Sequence, residues 1–156
     1  MDVFERIVAQ LRQHEAEHRT FEHEPVRTSE EAARVRGTPL GQGAKAMVLE
    51  AGDELVLVVL SASRKVDFRK LKAHLGARRV QMASAERVRE ATGCEPGGVP
   101  PFGSLFGLRV LLDPSLLEHE RIDFNAGERT RSVEMRSKDF VAIERPEVVE
   151  FAGGDQ

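Results

Sequence analysis

Ala44-Lys45-Ala46-Met47-Val48-Leu49-Glu50, then Gly52-Asp53, then Glu54-Leu55-Val56-Leu57-Val58-Val59-Leu60-Ser61, is the stretch that decides the architecture. Two aliphatic, β-branched-rich runs joined across a glycine-aspartate turn read as an antiparallel hairpin. The apolar run Leu55 to Leu60 has the length of a strand and is far too short to span a bilayer. Outward from the hairpin, strands and short helices alternate irregularly. Before it, Val3, Phe4, Ile7, Val8 and Leu11 share one face of an amphipathic helix read from Val3 to His18, and Phe21 to Glu24 reads as a short strand. Thr28 and Glu31 have capping-box spacing ahead of Ala32, Ala33 and Val35, and Gly37 followed by Pro39 ends that second helix.

After the hairpin, Asp67 caps a helix with Phe68, Leu71 and Leu75 inward and Gly76 at its C-terminal end. Arg79 to Met82 is a strand, and Ser84 opens a helix stopped at Gly93. Leu108 to Leu112, Arg121 to Asn125 and Thr130 to Met135 read as strands, Ser137 begins a last helix, and Val148 to Phe151 returns to the sheet. The pattern predicts an α+β (mixed α/β) fold, with a curled, barrel-like mixed sheet flanked by short helices.

Composition narrows the class. With 156 residues, 40% hydrophobic and 31% charged, the chain reads as one ordinary globular domain over residues 1–156. A single cysteine, Cys94, excludes an intrachain disulfide framework, and no secretory signal opens the sequence; both favour the cytoplasm. The net charge of −3 taken alone argues against a general nucleic-acid-binding protein. Its distribution is uneven: between Ser61 and Val80 seven basic residues face only Asp67, a local +6 that leaves −9 for the remainder. Such a stretch either holds a few phosphates or is the solvated face of a helix and its flanks.

Two features bear on chemistry. Gly93-Cys94-Glu95-Pro96-Gly97-Gly98-Val99-Pro100-Pro101-Phe102-Gly103 holds four glycines and three prolines, too many breakers for a helix or a ladder. It is either a shaped loop whose backbone N–H groups bind a carbonyl or an oxyanion, or a stiff connection. Lys45 lies in an otherwise small and apolar strand, where it either lines a pocket as a compact point charge or faces solvent. His14 and His18 have helical i, i+4 spacing, but no carboxylate or cysteine stands at a recognised ligand spacing beside His14, His18 and His23, and Cys94 has no histidine nearby in sequence. No Walker loop, dinucleotide fingerprint, serine-lysine motif or HExxH is present.

Four segments in order carry a resemblance: Thr28-Ser29-Glu30-Glu31-Ala32-Ala33, Gly43 to Leu49, Thr92 to Gly103, and Asn125-Ala126-Gly127-Glu128-Arg129. They resemble the YbaK and prolyl-tRNA synthetase editing-domain family from about Phe21 to Phe140, with the proline-rich loop as the most specific element. The resemblance implies hydrolysis of the ester of a mischarged tRNA, with tRNA-Pro or a related tRNA as the carrier, and in trans, since no synthetase is attached. It implies Lys45, Gly97 and Pro101 as catalytic positions, and Gly98, Val99, Pro100, Asn125 and Gly127 as substrate-binding ones. Ser132 is a further pocket candidate. It implies no cofactor and no metal. The partners are the mischarged tRNA acceptor end and, as a candidate recruiter, an aminoacyl-tRNA synthetase; no membrane or DNA partner is implied. Ala46 and Asn125 depart from the asparagine and histidine of members that deacylate alanyl-tRNA, so alanine specificity is not implied. Cys94 stands where an aromatic is frequent.

Such an ester is intrinsically reactive, so a clamped substrate, a positioned water and hydrogen bonds to the oxyanion suffice without a protein nucleophile. In this reading Lys45 engages the acceptor-end phosphate or the ester, the Gly97 to Pro101 loop holds the aminoacyl group, and a ribose hydroxyl assists the water. The competing readings are a non-catalytic module binding an aminoacyl-tRNA end or a nucleotide, and a hydrolase of small aminoacyl esters.

Overall fold

The computed structural model describes residues 1–155. The hairpin strands, β2 (Ala44–Ala51) and β3 (Glu54–Ser61), are its centre, paired antiparallel from Ala44–Ser61 to Ala51–Glu54. Val56 to Leu60 of β3 are all fully buried. That continuous apolar run marks a strand covered on both faces, and the side-chain period of two divides it. Leu57 and Val59 pack with the helix residues Ile7, Leu11, Val88 and Phe140, whereas Val56, Val58 and Leu60 pack with Leu71 and Phe151.

The helices are α1 (Val3–Gln13), α2 (Ser29–Arg36), α3 (Phe68–Leu75), α4 (Ala85–Thr92) and α5 (Ser137–Glu144). Helix α1 is shorter than its sequence pattern suggests. The apolar face runs out after Leu11, and Glu15, at φ 54°, turns the chain toward the strand β1 (His18–Glu22). Thr28 caps α2 by accepting from the Glu31 N–H at 3.1 Å. The return half of the box is displaced by one residue, for Glu31 accepts from the Arg27 N–H.

Strands β5 (Val80–Met82), β6 (Arg109–Leu112) and β9 (Glu147–Val148) extend the hairpin to a five-stranded sheet in the order β5-β2-β3-β6-β9. It is mixed, since β5, β2 and β3 pair antiparallel while β3, β6 and β9 pair parallel. Strands β7 (Arg121–Asn125) and β8 (Arg131–Arg136) form an antiparallel sheet with β1, in the order β1-β8-β7. Strand β4 (Arg64–Val66) pairs with β10 (Ala152–Asp155). The α+β class holds, but the barrel-like closure does not: the described strands fall into three sheets, none closed. A parallel bridge between Gly43 and Asp123 joins the two larger ones. Residues of both sheets share one apolar core with Phe102, whose ring lies 5.6 Å from Phe124 and 5.7 Å from Phe140. Burying rings of this kind contributes about 1.5–3 kcal/mol each. No described helix is long and apolar enough to cross a membrane.

Asp113 pins the C-terminal segment. One carboxylate oxygen accepts from the N–H groups of Phe151 and Ala152 at 2.9 and 2.8 Å, and the other accepts from the Ser115 N–H and hydroxyl. Burial alone would raise its pKa, but these four bonds outweigh it and hold the carboxyl below its ordinary value. The stabilisation is therefore complete above the ordinary carboxylate range and lost as pH falls through the lowered value. Asp113→Ala is expected to cost on the order of 3 kcal/mol at neutral pH. Urea unfolding should show that gap narrowing as both proteins are taken into strong acid.

Candidate functional site

Along β7, Ile122 and Phe124 point into the core, so Asp123 and Asn125 face the opposite way. Register sets Glu134 of β8 against Asp123, and Ser132 against Asn125. The result is a polar layer on the back of an apolar sheet, with Asp123, Ser132 and Glu134 all 5% exposed or less.

Arg36, the last residue of α2, neutralises that layer. Its guanidinium donates from Nη1 to Asp123 Oδ1 at 2.7 Å, from Nη2 to Asn125 Oδ1 at 2.7 Å and from Nε to Ser132 Oγ at 2.9 Å. Gln42 Nε2 donates to Asp123 Oδ2 at 3.0 Å and to Glu134 Oε2 at 3.1 Å. Desolvation lowers the Arg36 pKa and raises that of Asp123, while each partner's charge opposes the shift. Both Asp123 oxygens are engaged, by Arg36 and by Gln42, so this carboxylate serves to hold the layer together.

Asn125 carries the network outward. With Oδ1 occupied by Arg36, its Nδ2 donates to the Gly97 carbonyl at 2.7 Å. The amide thus ties the buried ion pair to the glycine-proline loop. That loop contains two short 3₁₀ turns, Pro96–Gly98 and Gly103–Phe106. It lies tightly against the β7–β8 connection, where the Gly127 N–H donates to the Gly98 carbonyl at 2.8 Å. A Cβ on Gly98 would stand 3.0 Å from the Gly127 carbonyl oxygen, and Gly127 adopts φ +97°. Both positions therefore call for glycine.

These elements enclose a cleft of about 250 Å³, lined by the start of α2, the near end of β2, Pro96, Gly97, Val99, Asp123, Asn125 and Arg129. Lys45, Gly97, Val99 and Asn125 are brought together in it. Gly98 and Gly127 line a separate cavity of about 730 Å³ on the far side of the loop, with Val3, Phe4 and Pro25. Pro100 and Pro101 are buried and line neither. The second cavity is lined by Asp2, Glu95 and Glu128 against Arg129, a net negative setting that is poor for a phosphate. The smaller cleft has the convergent polar groups expected of a binding site.

Lys45 is half-buried in this cleft, and its ammonium donates to the Arg64 carbonyl at 2.7 Å. Desolvation lowers its pKa, Glu30 acts in the opposite direction, and Lys65 adds to the lowering. The bond to Arg64 also brings the basic stretch, which begins on β4, to the wall of the cleft. His23 completes the polar layer, with Nδ1 against the Glu24 carbonyl and Nε2 2.7 Å from Ser132 Oγ. A donor is needed at the Nδ1 contact, so Nε2 accepts from the Ser132 hydroxyl in this tautomer. This serine-histidine pair is not a nucleophilic dyad: Ser132 is fully buried, also bonded by Arg36, and absent from the cleft lining. No group of three or more His, Cys, Asp or Glu among the described residues is arranged to hold a metal ion.

Arg36, Gln42 and Asp123 were not among the residues singled out by sequence. A signal existed in the alternation Arg121-Ile122-Asp123-Phe124-Asn125, which puts an acid and an amide on one face.

Known proteins resemble this chain along most of its length. The aminoacyl-tRNA editing domain model matches residues 23–143. The multifunctional Ser/Thr-tRNA deacylase ProXp-y of Escherichia coli K12 is 39% identical over 152 residues, covering 94% of this chain and 91% of that protein. A proline–tRNA ligase of Bacillus licheniformis is 40% identical over 82 residues, 52% of this chain and 14% of the ligase. Among solved structures, one described as a candidate trans-editing enzyme for prolyl tRNA synthetase superposes with a TM-score of 0.86 at 26% identity, covering 99% of both chains. With the matched segment spanning the Lys45 strand, the glycine-proline loop and the Asn125 turn, the chain belongs to the aminoacyl-tRNA editing domain family.

Proposed function

We propose that this protein is a trans-editing aminoacyl-tRNA deacylase, one editing domain over residues 1–156, that removes serine or threonine from mischarged tRNA in the cleft beside Lys45. The observation that carries this is the convergence in one cleft of Lys45, the Gly97 backbone and Asn125, held from behind by the Arg36–Asp123 pair. The choice of amino acid is supported by the E. coli relative, which matches almost end to end. The tRNA-Pro carrier and a synthetase as recruiting partner draw support from the partial match to proline–tRNA ligases. The cytoplasm, where tRNA is charged, is the proposed compartment.

In the reaction a water oxygen bonds to the ester carbonyl carbon, the bond to the ribose oxygen breaks, and the ribose oxygen takes up a proton as the free amino acid leaves. The chain's task is positioning and charge stabilisation. Lys45, a cation in a partly desolvated wall, faces the ester or the adjacent phosphate. Gly97 and Val99 shape the side of the aminoacyl pocket. Asn125 keeps the loop at fixed distance from β7, and Gly98, Gly127, Pro100 and Pro101 maintain the loop's shape from behind. A substrate ribose hydroxyl orients the water.

Incubating catalytic amounts of protein with tRNA charged with labelled serine, threonine, alanine or proline tests this. Release of many equivalents of serine or threonine per protein is expected. Saturable binding without release would identify a non-catalytic module, and equal turnover of minimal aminoacyl esters would remove tRNA from the proposal. The exposed cations Lys65 and Arg69 supply a second check. Lys65→Glu with Arg69→Glu is expected to raise KM for charged tRNA several-fold at low salt, with the difference shrinking as salt rises and minimal esters unaffected.

A further inference from the structure

We infer that Arg36 is the specificity-determining residue of the cleft, donating a hydrogen bond to the side-chain hydroxyl of the amino acid to be removed. This rests on the reading of the Lys45 cleft as the aminoacyl site. Three facts of the structure converge on it. Arg36 belongs to the cleft lining although its side chain is only 5% exposed. It is held by three different side chains, through Nε, Nη1 and Nη2, so it cannot swing away. A guanidinium carries five N–H groups, and three of them serve those bonds, which leaves one on each Nη for a ligand.

The surroundings make that donor decisive. Ala32, Ala33, Leu40, Gly43 and Ala44 are the small, apolar part of the same lining. Such walls select by size and separate serine from alanine poorly. A fixed buried donor separates them well, because an alanyl group leaves the N–H dry and unpaired. Asp123, 2.7 Å away, already neutralises the guanidinium. The complementary ligand is therefore a neutral acceptor, a hydroxyl, and not a second carboxylate beside the first.

The test uses one tRNA body charged in turn with serine, threonine and alanine, and reads the ratio of kcat/KM values. Wild type is expected to prefer seryl- over alanyl-tRNA by on the order of 10⁴-fold. Arg36→Lys keeps the charge but loses the fork, and Arg36→Met with Asp123→Leu removes the pair without leaving a lone buried charge. Both are expected to bring the ratio toward unity. A wild-type ratio near one overturns the inference whether or not the variants fold, as does an unchanged ratio in a folded variant. If wild type hydrolyses none of the three, the reading of the cleft itself fails, an outcome separate from hydrolysis without discrimination.

Discussion

Lys45→Ala is expected to lower kcat/KM for deacylation on the order of 10²-fold, the scale seen when one preorganised donor is removed from a site of developing charge. Lys45 is set up for such a role by its position. It sits on β2 two residues after the bridge that joins the two larger sheets, so the backbone beneath it is held from both sides. Its ammonium is half-buried, which strengthens any interaction with an oxyanion or phosphate in the cleft. The bond to the Arg64 carbonyl aims it. Lys45→Arg preserves charge but not the compact head, and only partial recovery is expected. Circular dichroism and urea unfolding of the same proteins separate loss of chemistry from loss of fold. Wild-type turnover in a folded Lys45→Ala protein would remove Lys45 from the mechanism.

The largest effect on stability is expected at the ion pair beneath it. Asp123→Ala strands the Arg36 guanidinium in a layer where its side chain is 5% exposed, and breaking a buried pair from one side costs about 3–5 kcal/mol. Gln42 loses an acceptor as well. For a domain of this size such a loss is a large fraction of the total stability. The double replacement Arg36→Met with Asp123→Leu should recover much of it, because no uncompensated charge remains. Urea midpoints measure both. Equal destabilisation by the single and the double change would mean that packing, and not charge, governs this position.

What could be read from the sequence depended on whether the signal was local. The hairpin was legible because Val56 to Leu60 is apolar without interruption and flanked by a turn. The caps at Thr28, Asp67 and Ser84 were legible because each acts within a few residues of its helix. Lys45 and the glycine-proline loop stood out because a cation in a small apolar strand and a run of breakers are each unusual alone. Arg36 and Asp123 did not stand out. An arginine closing a helix, or an acid in a short strand, looks like ordinary surface until the register of β7 with β8 buries it. The separation of the loop into two faces was equally hidden: only the third dimension sends Gly97 and Val99 to one cavity, Gly98 to another and Pro100 and Pro101 to the interior. Closure of the sheet depends on strand pairing at long range, and there the sequence pattern suggested more curl than the three separate sheets possess.

The claim that the aminoacyl end sits beside Lys45 is tested most directly by titrating the ¹⁵N-labelled protein with a hydrolysis-resistant amide analogue of seryl-adenosine and following backbone amide shifts. Saturable changes are expected at Lys45, Gly97, Val99 and Asn125, with Val3, Phe4 and Thr130 of the other cavity unmoved. Changes confined to that second cavity, or none at any concentration, would contradict the assignment.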